Sequence, residues 1–244
     1  AIITVLLSPY PEKEDGTKQE FSCEENCYYC PNHPEYARSY VPGEPATMRG
    51  IANGWSPKKQ MISRMDSLYK QGHKINKIEL IIEGGTFTQY PRSYLERFIR
   101  DLYYCANVYF SKENRAPHTI TGEMEINNEE SLCKITGLCI ETRPTISDDW
   151  YMFMRHIGVT KIQIGVQHTD DKILKKINRG HTFKEAEEGV IKTKDNCFKD
   201  CIHTMPDLPN SNPEKDKEMF DILFKEIKMS PDEMKIYPFD STPY

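Results

Sequence analysis

Six short runs rich in Ile, Val and Leu recur along the chain, near residues 2–7, 77–83, 138–142, 161–166, 200–205 and 234–237. Each is bounded by polar residues or by Gly and Pro, and near-continuous apolar runs of this length predict strands covered on both faces. Between them lie segments with helical periodicity and legible ends. Ser56 and Pro57 open one that closes at Gly72, and Pro91 opens the next, which sets Leu95, Phe98, Ile99 and Leu102 on one face. Ser147 caps a third that stops at Gly158. Thr182 with Glu185 spells a capping box for a fourth, and Asn212 with Pro213 opens the last, whose Met219, Phe220, Leu223, Phe224 and Ile227 are expected to face inward. Strand and helix alternate, which predicts an α/β fold with a parallel sheet and right-handed crossovers. Six such units make an incomplete (β/α)6 barrel.

The segment 106–136 breaks the pattern. Asn107 to Glu130 is polar, interrupted by Pro117 and Gly122, and lacks clear periodicity. It is expected to be an irregular excursion of the lid or mobile-arm kind. The opening run from Ala1 to Leu7 has no basic residue before it and is too short to span a bilayer, so it is expected to be a strand and not a signal peptide, and no membrane partner is expected. A chain of 244 residues, 38% of them hydrophobic, suits one larger α/β domain better than two small ones.

In barrels the reacting groups sit where strands end and loops begin, and the polar residues of this chain gather there. Gly84-Gly85-Thr86-Phe87 follows the second run, Glu141-Thr142-Arg143-Pro144 the third, Gln167-His168 the fourth and His203 to Asp207 the fifth, while Lys235-Ile236-Tyr237-Pro238 forms or follows the sixth. Each has a plain reading. Gly84-Gly85 makes a tight turn, or offers bare amides to the amino-acid end of a nucleoside cofactor. Glu141 and Arg143 fall on the same side of a strand and suit an ordinary ion pair. Gln167, His168 and His203 suit satisfied interior polar groups. Lys235 is different, because an ammonium inside a barrel is costly unless it meets a carboxylate or an anionic ligand.

Charge and cysteines change the picture further. The net charge of -5 does not advertise a nucleic-acid binder, although Lys172, Lys175, Lys176, Arg179, His181 and Lys184 form a dense positive run, readable equally as a solvated helix face. The eight cysteines show no disulfide framework, which fits a reducing, cytoplasmic compartment. Cys105, Cys133, Cys139, Cys197 and Cys201 are expected to be buried small hydrophobes or inert thiols. Cys23, Cys27 and Cys30 stand apart, spaced C-x3-C-x2-C. Four cysteines close an ordinary 4Fe-4S cluster, so three leave one iron open. S-adenosylmethionine can chelate such an iron, and one electron then cleaves its sulfonium to a 5'-deoxyadenosyl radical. A rival reading of the same residues with His33 is a closed Cys3His zinc site.

A set of further motifs resembles one family. Cys-Tyr-Tyr-Cys-Pro at 27–31, Gly-Glu-Pro-Ala-Thr-Met-Arg at 43–49, Glu-Gly-Gly-Thr-Phe at 83–87, Ile-Glu-Thr-Arg-Pro at 140–144, Ile-Gly-Val-Gln at 164–167, Asn-Arg-Gly-His-Thr at 178–182, Met-Pro-Asp-Leu-Pro-Asn at 205–210 and Lys-Ile-Tyr-Pro at 235–238 are similar to the radical S-adenosylmethionine domain of the catalytic subunit of Elongator. The resemblance implies a partial TIM-like barrel over 1–244, with a cluster loop at 23–33 and the irregular insertion at 106–136. It implies a 4Fe-4S cluster on Cys23, Cys27 and Cys30, with S-adenosylmethionine bound by Tyr29, Gly84, Gly85, Thr86, Glu141, Arg143 and Gln167. Lys235 and Tyr237 would face substrate as catalytic residues.

That family installs a carboxymethyl-type group at carbon 5 of the wobble uridine of tRNA, drawing the acetyl unit from acetyl-CoA. The anticodon loop, an acetyltransferase-like domain and Elongator-type subunits are the implied partners, and the base must be splayed out to reach the barrel. The chain departs from the family in having Pro31-Asn32-His33 after its last cluster cysteine, a shorter gap between the first two cysteines, and Thr145 after Arg143-Pro144. The basic amino-terminal extension and the acetyltransferase-like domain of the family fall outside residues 1–244. Two alternatives accompany the resemblance: a radical enzyme acting on another RNA or another substrate, and a zinc- or cluster-stabilised RNA-binding or assembly module.

Overall fold

The computed structural model describes residues 1–225 and 229–240. Six strands, β1 (Ile2–Leu6), β2 (Lys77–Glu83), β3 (Lys134–Thr142), β4 (Lys161–Gln167), β5 (Lys199–Thr204) and β6 (Glu233–Ile236), form one parallel sheet in sequential order. Eight helices are described: α1 (Pro45–Ala52), α2 (Pro57–Lys70), α3 (Arg92–Ser111), α4 (Ile120–Glu129), α5 (Asp148–His156), α6 (Asp171–Lys176), α7 (Phe183–Asp195) and α8 (Pro213–Lys225). Sequential order in a parallel sheet with helical crossovers is the incomplete barrel that the alternation predicts.

Strand parity decides what lies on each side. Ile3, Val5, Ile78, Leu80, Ile82, Leu138, Ile140, Ile162, Ile164, Val166 and Ile202 belong to one buried cluster, which the helices seal. Residues of the other parity (Glu79, Glu83, Cys139, Glu141, Lys161, Gln163, Cys201, His203, Glu233, Lys235) face the inside of the curl. The runs are therefore not covered on both faces by apolar groups; one face is core and the other is polar.

Curvature is visible in the contacts. Lys161 Nζ on β4 reaches Glu79 Oε1 on β2 at 2.9 Å and Glu233 Oε1 on β6 at 3.0 Å. Each partner lies two strands away, about 10 Å across a flat sheet, so these side chains meet by converging inward. The three residues sit at the amino ends of their strands and close the base of the barrel with an ion-paired layer. The outer edge of β1 is closed differently: Gln60, buried on α2, receives Leu6 N on its Oε1 and donates Nε2 to Leu6 O, both at 3.0 Å.

Helix ends follow the sequence signals with one exception. Ser56 Oγ accepts from Lys59 N, the Thr182–Glu185 capping box is complete, and Asn212 Oδ1 accepts from Lys215 N. Ser147 occupies the N-cap of α5, but its hydroxyl goes to the Asp149 carboxylate and not to the helix backbone. On α3, Leu95, Phe98, Ile99 and Leu102 are buried; each such side chain contributes about 1.5–3 kcal/mol. On α8, Met219 and Leu223 are buried and Phe220 packs against the core, whereas Phe224 is 60% exposed and faces outward. Ile227 lies outside the described residues. Cys105, Cys133, Cys139 and Cys201 are buried as expected, whereas Cys197 is exposed.

The 106–136 segment is not a lid. α3 continues to Ser111, α4 packs back on it, and β3 already begins at Lys134. Its polar composition has a structural reason: the polar groups are buried against one another. Glu123, fully buried, accepts from Arg115 Nη2 at 2.9 Å, Asn107 Nδ2 at 2.8 Å and His118 N at 2.8 Å. Asn127 bridges Asn107 Oδ1, Cys133 O and Ile135 N. A helix whose buried face is amide and carboxylate shows no apolar periodicity.

Removing Glu123 would leave Arg115 and two amide donors without their shared acceptor. Glu123→Ala is expected to lower unfolding stability by about 3 kcal/mol in denaturant titration. Burial alone would raise the Glu123 pKa, but the hydrogen bonds from Arg115, His118 N and Asn107 outweigh it and hold the carboxyl below its ordinary value. A depressed folded-state pKa stabilises above the unfolded value and is lost as pH falls through the folded one. Glu123→Gln should therefore flatten the acid limb of stability against pH below about pH 4.3 and leave its neutral limb parallel to wild type.

Candidate active site at the open end of the barrel

A cavity of about 590 Å³ opens at the carboxyl ends of the strands, within the range of small-molecule sites. It is lined by Cys23, Cys27, Tyr29, Cys30, Gly85, Thr86, Glu141, Arg143, Gln167, Lys235 and Tyr237, so eleven of the twelve site residues read from the sequence border one space. The twelfth, Gly84, stands just behind it, its N–H donated to Glu141 Oε1 at 3.2 Å.

The cysteines lie on an irregular segment that the barrel rim holds in place. Gly84 (φ 140°) and Gly85 (φ 79°) make the turn after β2, and here the tight-turn reading holds for a reason of close approach. A Cβ on Gly85 would lie 2.7 Å from Ser22 O, and one on Gly84 2.8 Å from Leu7 Cβ. Bare glycines let Ser22 O come within 3.2 Å of Thr86 N, and the Thr86 hydroxyl reaches Cys23 Sγ at 3.1 Å. Cys27 is buried between two guanidiniums, with Arg143 Nη1 and Arg179 Nη1 each 3.5 Å from its sulfur. Burial opposes its ionisation, but the Arg179 charge and the hydrogen bonds from both arginines outweigh it and lower the Cys27 pKa. Cys30 lacks such a pair, and burial pushes its thiol up to about 11 against the charge of Arg38.

In the sequence Arg179 belongs to a basic run; the structure divides that run. Lys172, Lys175 and Lys176 are exposed on α6 and Lys184 pairs with Glu188, whereas Arg179 and His181 are buried. Gly165 makes Arg179's entry possible, since a Cβ there would lie 2.4 Å from Arg179 Nη2. Nor do Glu141 and Arg143 pair with each other. Glu141 accepts from Tyr40 Oη at 2.6 Å and from Gly84 N, while Arg143 turns to Cys27, the Arg179 carbonyl and Glu25. His168 is buried outside the cavity, where it meets Asp216 Oδ1 at 3.3 Å and ties the end of β4 to α8.

Sequence reasoning passed over Tyr40, Glu44, Glu83, Gln163 and Arg179 as lining groups. Glu83 and Gln163 have a signal, being polar residues of inward parity in otherwise apolar strands. Tyr40 and Glu44 come from irregular chain and have none. Together they give the cavity two electrical halves. Arg38, Arg143 and Arg179 surround the thiols; Glu44, Glu83 and Glu141 stand toward Lys235. Burial, reinforced by Glu141 and opposed by Lys235, pushes Glu83 up to about 7. Burial likewise raises Glu141 despite the donors from Tyr40 and Gly84.

The residues present fit a bound group. Gln167, held at φ 71° at the end of β4, buries its Oε1 with no partner among the described residues, and the Nε atoms of Arg38 and Arg179 are likewise unpaired there. Among the described residues no three Cys, His, Asp or Glu side chains converge on a single-ion site. His33, the fourth ligand of the zinc reading, accepts from Glu35 N and packs on Tyr36, away from the cavity. A cubane engages each thiolate through a different iron, so its ligands need not converge on one point.

An incomplete parallel barrel with three thiols at its open mouth defines a class, and residues 21–223 match the Radical SAM superfamily, to which this chain belongs. Over that region it is 37% identical to human Elongator complex protein 3, across 225 residues that cover 87% of this chain and 39% of that protein. It is 35% identical over 237 residues to the tRNA uridine(34) acetyltransferase of Dehalococcoides mccartyi, covering 97% of this chain and 48% of the relative. The structure of an N-terminally deleted archaeal Elp3 from Methanocaldococcus infernus superposes with a TM-score of 0.76 at 29% identity, covering 98% of this chain and 45% of that one. The chain thus spans less than half the length of these relatives. Among its described residues no helix is long and apolar enough to cross a membrane.

The glycine turn gives the site its most direct test. Gly85→Ala adds a Cβ to a left-handed residue in contact with the Ser22 carbonyl. It is expected to cost about 1–3 kcal/mol and to raise hydrogen exchange of the amides of residues 19–27, with the exchange of β4 and β5 unchanged.

Proposed function

We propose that this chain is the radical S-adenosylmethionine unit of an enzyme that modifies the wobble uridine of tRNA. The observation that carries the reading is a single cavity with three thiols and three guanidiniums at one end and Lys235, His203 and Tyr237 at the other. Similarity to proteins named for Elongator and for tRNA uridine acetyl transfer supports it.

In this reading Cys23, Cys27 and Cys30 would hold a 4Fe-4S cluster, and the guanidiniums of Arg143 and Arg179 with the Thr86 hydroxyl would stabilise its anionic thiolates. When bound, the cluster supplies the electron that cleaves S-adenosylmethionine. Tyr29, Gly85, Thr86, Arg143 and the unpaired Gln167 Oε1 line the part of the cavity where that cofactor would be held; Glu141, fixed by Tyr40 and Gly84 N, forms the wall beyond it. Lys235 and Tyr237 face the substrate. A uridine splayed from the anticodon loop, an acetyl unit drawn from acetyl-CoA, and an acetyltransferase-like domain or Elongator-type subunits complete the proposal, in a reducing cytoplasm.

Anaerobically purified protein is expected to contain iron and acid-labile sulfide, and its reduced electron paramagnetic resonance signal to shift on addition of S-adenosylmethionine. Alanine at Cys23, Cys27 or Cys30 should abolish both, whereas His33→Ala should retain the iron. Zinc without sulfide, released by His33→Ala, would instead establish a structural metal module and overturn the radical reading.

A further inference from the structure

At the inner end of the cavity, Gln163 holds two groups at once. Its side chain is buried on β4, and its Oε1 accepts from Lys235 Nζ on β6 at 2.8 Å and stands 2.7 Å from His203 Nε2 on β5. Its Nε2 donates to Cys139 Sγ on β3 at 3.0 Å. Four adjacent strands thus meet on one amide.

This arrangement fixes protons. An ammonium has only donors, so the amide atom facing Lys235 must be the oxygen and the amide cannot be flipped. His203 Nε2 shares that oxygen and must therefore carry a hydrogen, which leaves Nδ1 as the acceptor nitrogen of a neutral ring. The surroundings agree: burial, with the charges of Lys235 and Arg179, pushes the His203 pKa down to about 3. The Tyr237 ring packs edge-on against His203 with centroids 5.2 Å apart. Among the described residues no carboxylate forms an ion pair with Lys235; besides Gln163, its ammonium meets the Tyr237 hydroxyl.

We propose that Gln163 is a positioning residue that sets the Lys235 ammonium and the Nε2–H tautomer of His203, so that the β5–β6 wall offers a donor beside an acceptor to a ligand carbonyl flanked by N–H. The imide edge of a pyrimidine base has that pattern. The identity of the ligand rests on the function proposed above; the tautomer and the role of Gln163 do not.

Two variants test it. Gln163→Leu removes the acceptor, and Gln163→Glu keeps the shape but places a carboxylate between Lys235 and His203. Metal content and S-adenosylmethionine binding are expected to match wild type in both. Long-range proton–nitrogen NMR of histidine-labelled protein, with His203→Asn to assign the signal, should report an Nε2–H neutral ring from pH 5 to 8 in wild type. Gln163→Leu should lose that fixed tautomer, and Gln163→Glu should bring protonation of His203 into the range. For the ligand, uridine-containing anticodon stem-loop RNA is compared with the same RNA carrying 3-methyluridine, which lacks the imide N–H. Wild type is expected to prefer the former at least about tenfold and Gln163→Leu to lose that preference. An Nδ1–H or protonated His203 in wild type, or a tautomer unaffected by Gln163→Leu, overturns the inference whatever the RNA does. Equal binding of the two RNAs by wild type overturns the imide assignment. Failure of wild type to bind either RNA refutes the uridine substrate together with the imide assignment, while the NMR result alone decides the role of Gln163.

Discussion

Strand parity is the constraint on which this molecule turns. A slip of one residue in β2 would exchange Ile78, Leu80 and Ile82 for Glu79, Ile81 and Glu83 beneath the helices. The same exchange in β4 would bury Lys161, Gln163 and Gln167 in hydrocarbon and put Ile162 and Ile164 in the cavity. Register is therefore specified twice, by apolar burial outside and by polar pairing inside. The Lys161 layer at the base contributes to the second term, since its two carboxylate partners come from strands on opposite sides.

The polar interior also explains why the cysteine segment docks without regular structure of its own. Residues 20–40 form neither helix nor strand, yet backbone polar groups there need partners. The rim of the barrel supplies many of them: Gln89 takes Glu24 N, the Ile177 carbonyl takes Tyr28 N, and Arg179 and Arg143 meet at Cys27. Positive charge inside a barrel is expensive alone. It is compensated here by the Cys27 thiol, whose ionisation the two guanidiniums favour, and by Glu25, so the loop and the two arginines stabilise one another, and neither is expected to keep its position without the other.

The strands were legible because Ile, Val and Leu at alternate positions carry the burial of the outer face whatever the inner residues are. The cavity was legible where polar residues fell at strand ends, as with Glu141, Gln167 and Lys235. Gln163 was legible in principle by parity, and was obscured by the apolar residues on either side of it. Arg179 was hidden more deeply, because a basic residue among exposed lysines reads as surface until the fold places Gly165 opposite it. α4 was hidden for the inverse reason. Its buried side is built from Glu123 and Asn127, so burial left no apolar mark.

What the cavity separates matters as much as what it gathers. Guanidiniums and thiols occupy one end, and carboxyls with the Lys235 ammonium the other, so a ligand with an anionic part and a carbonyl-rich part has one favourable orientation. Glu83 and Glu141 stand at that second end, where the Glu141 charge adds to the cost of ionising Glu83. Tyr40 and Gly84 N donate to Glu141, and among the described residues no comparable donor meets Glu83. The wall facing Lys235 thus holds one carboxyl fixed by hydrogen bonds and a second that burial pushes up to about 7. Lys235 is attracted toward that wall but held by Gln163 on its own, and this keeps the ammonium available to whatever enters between them.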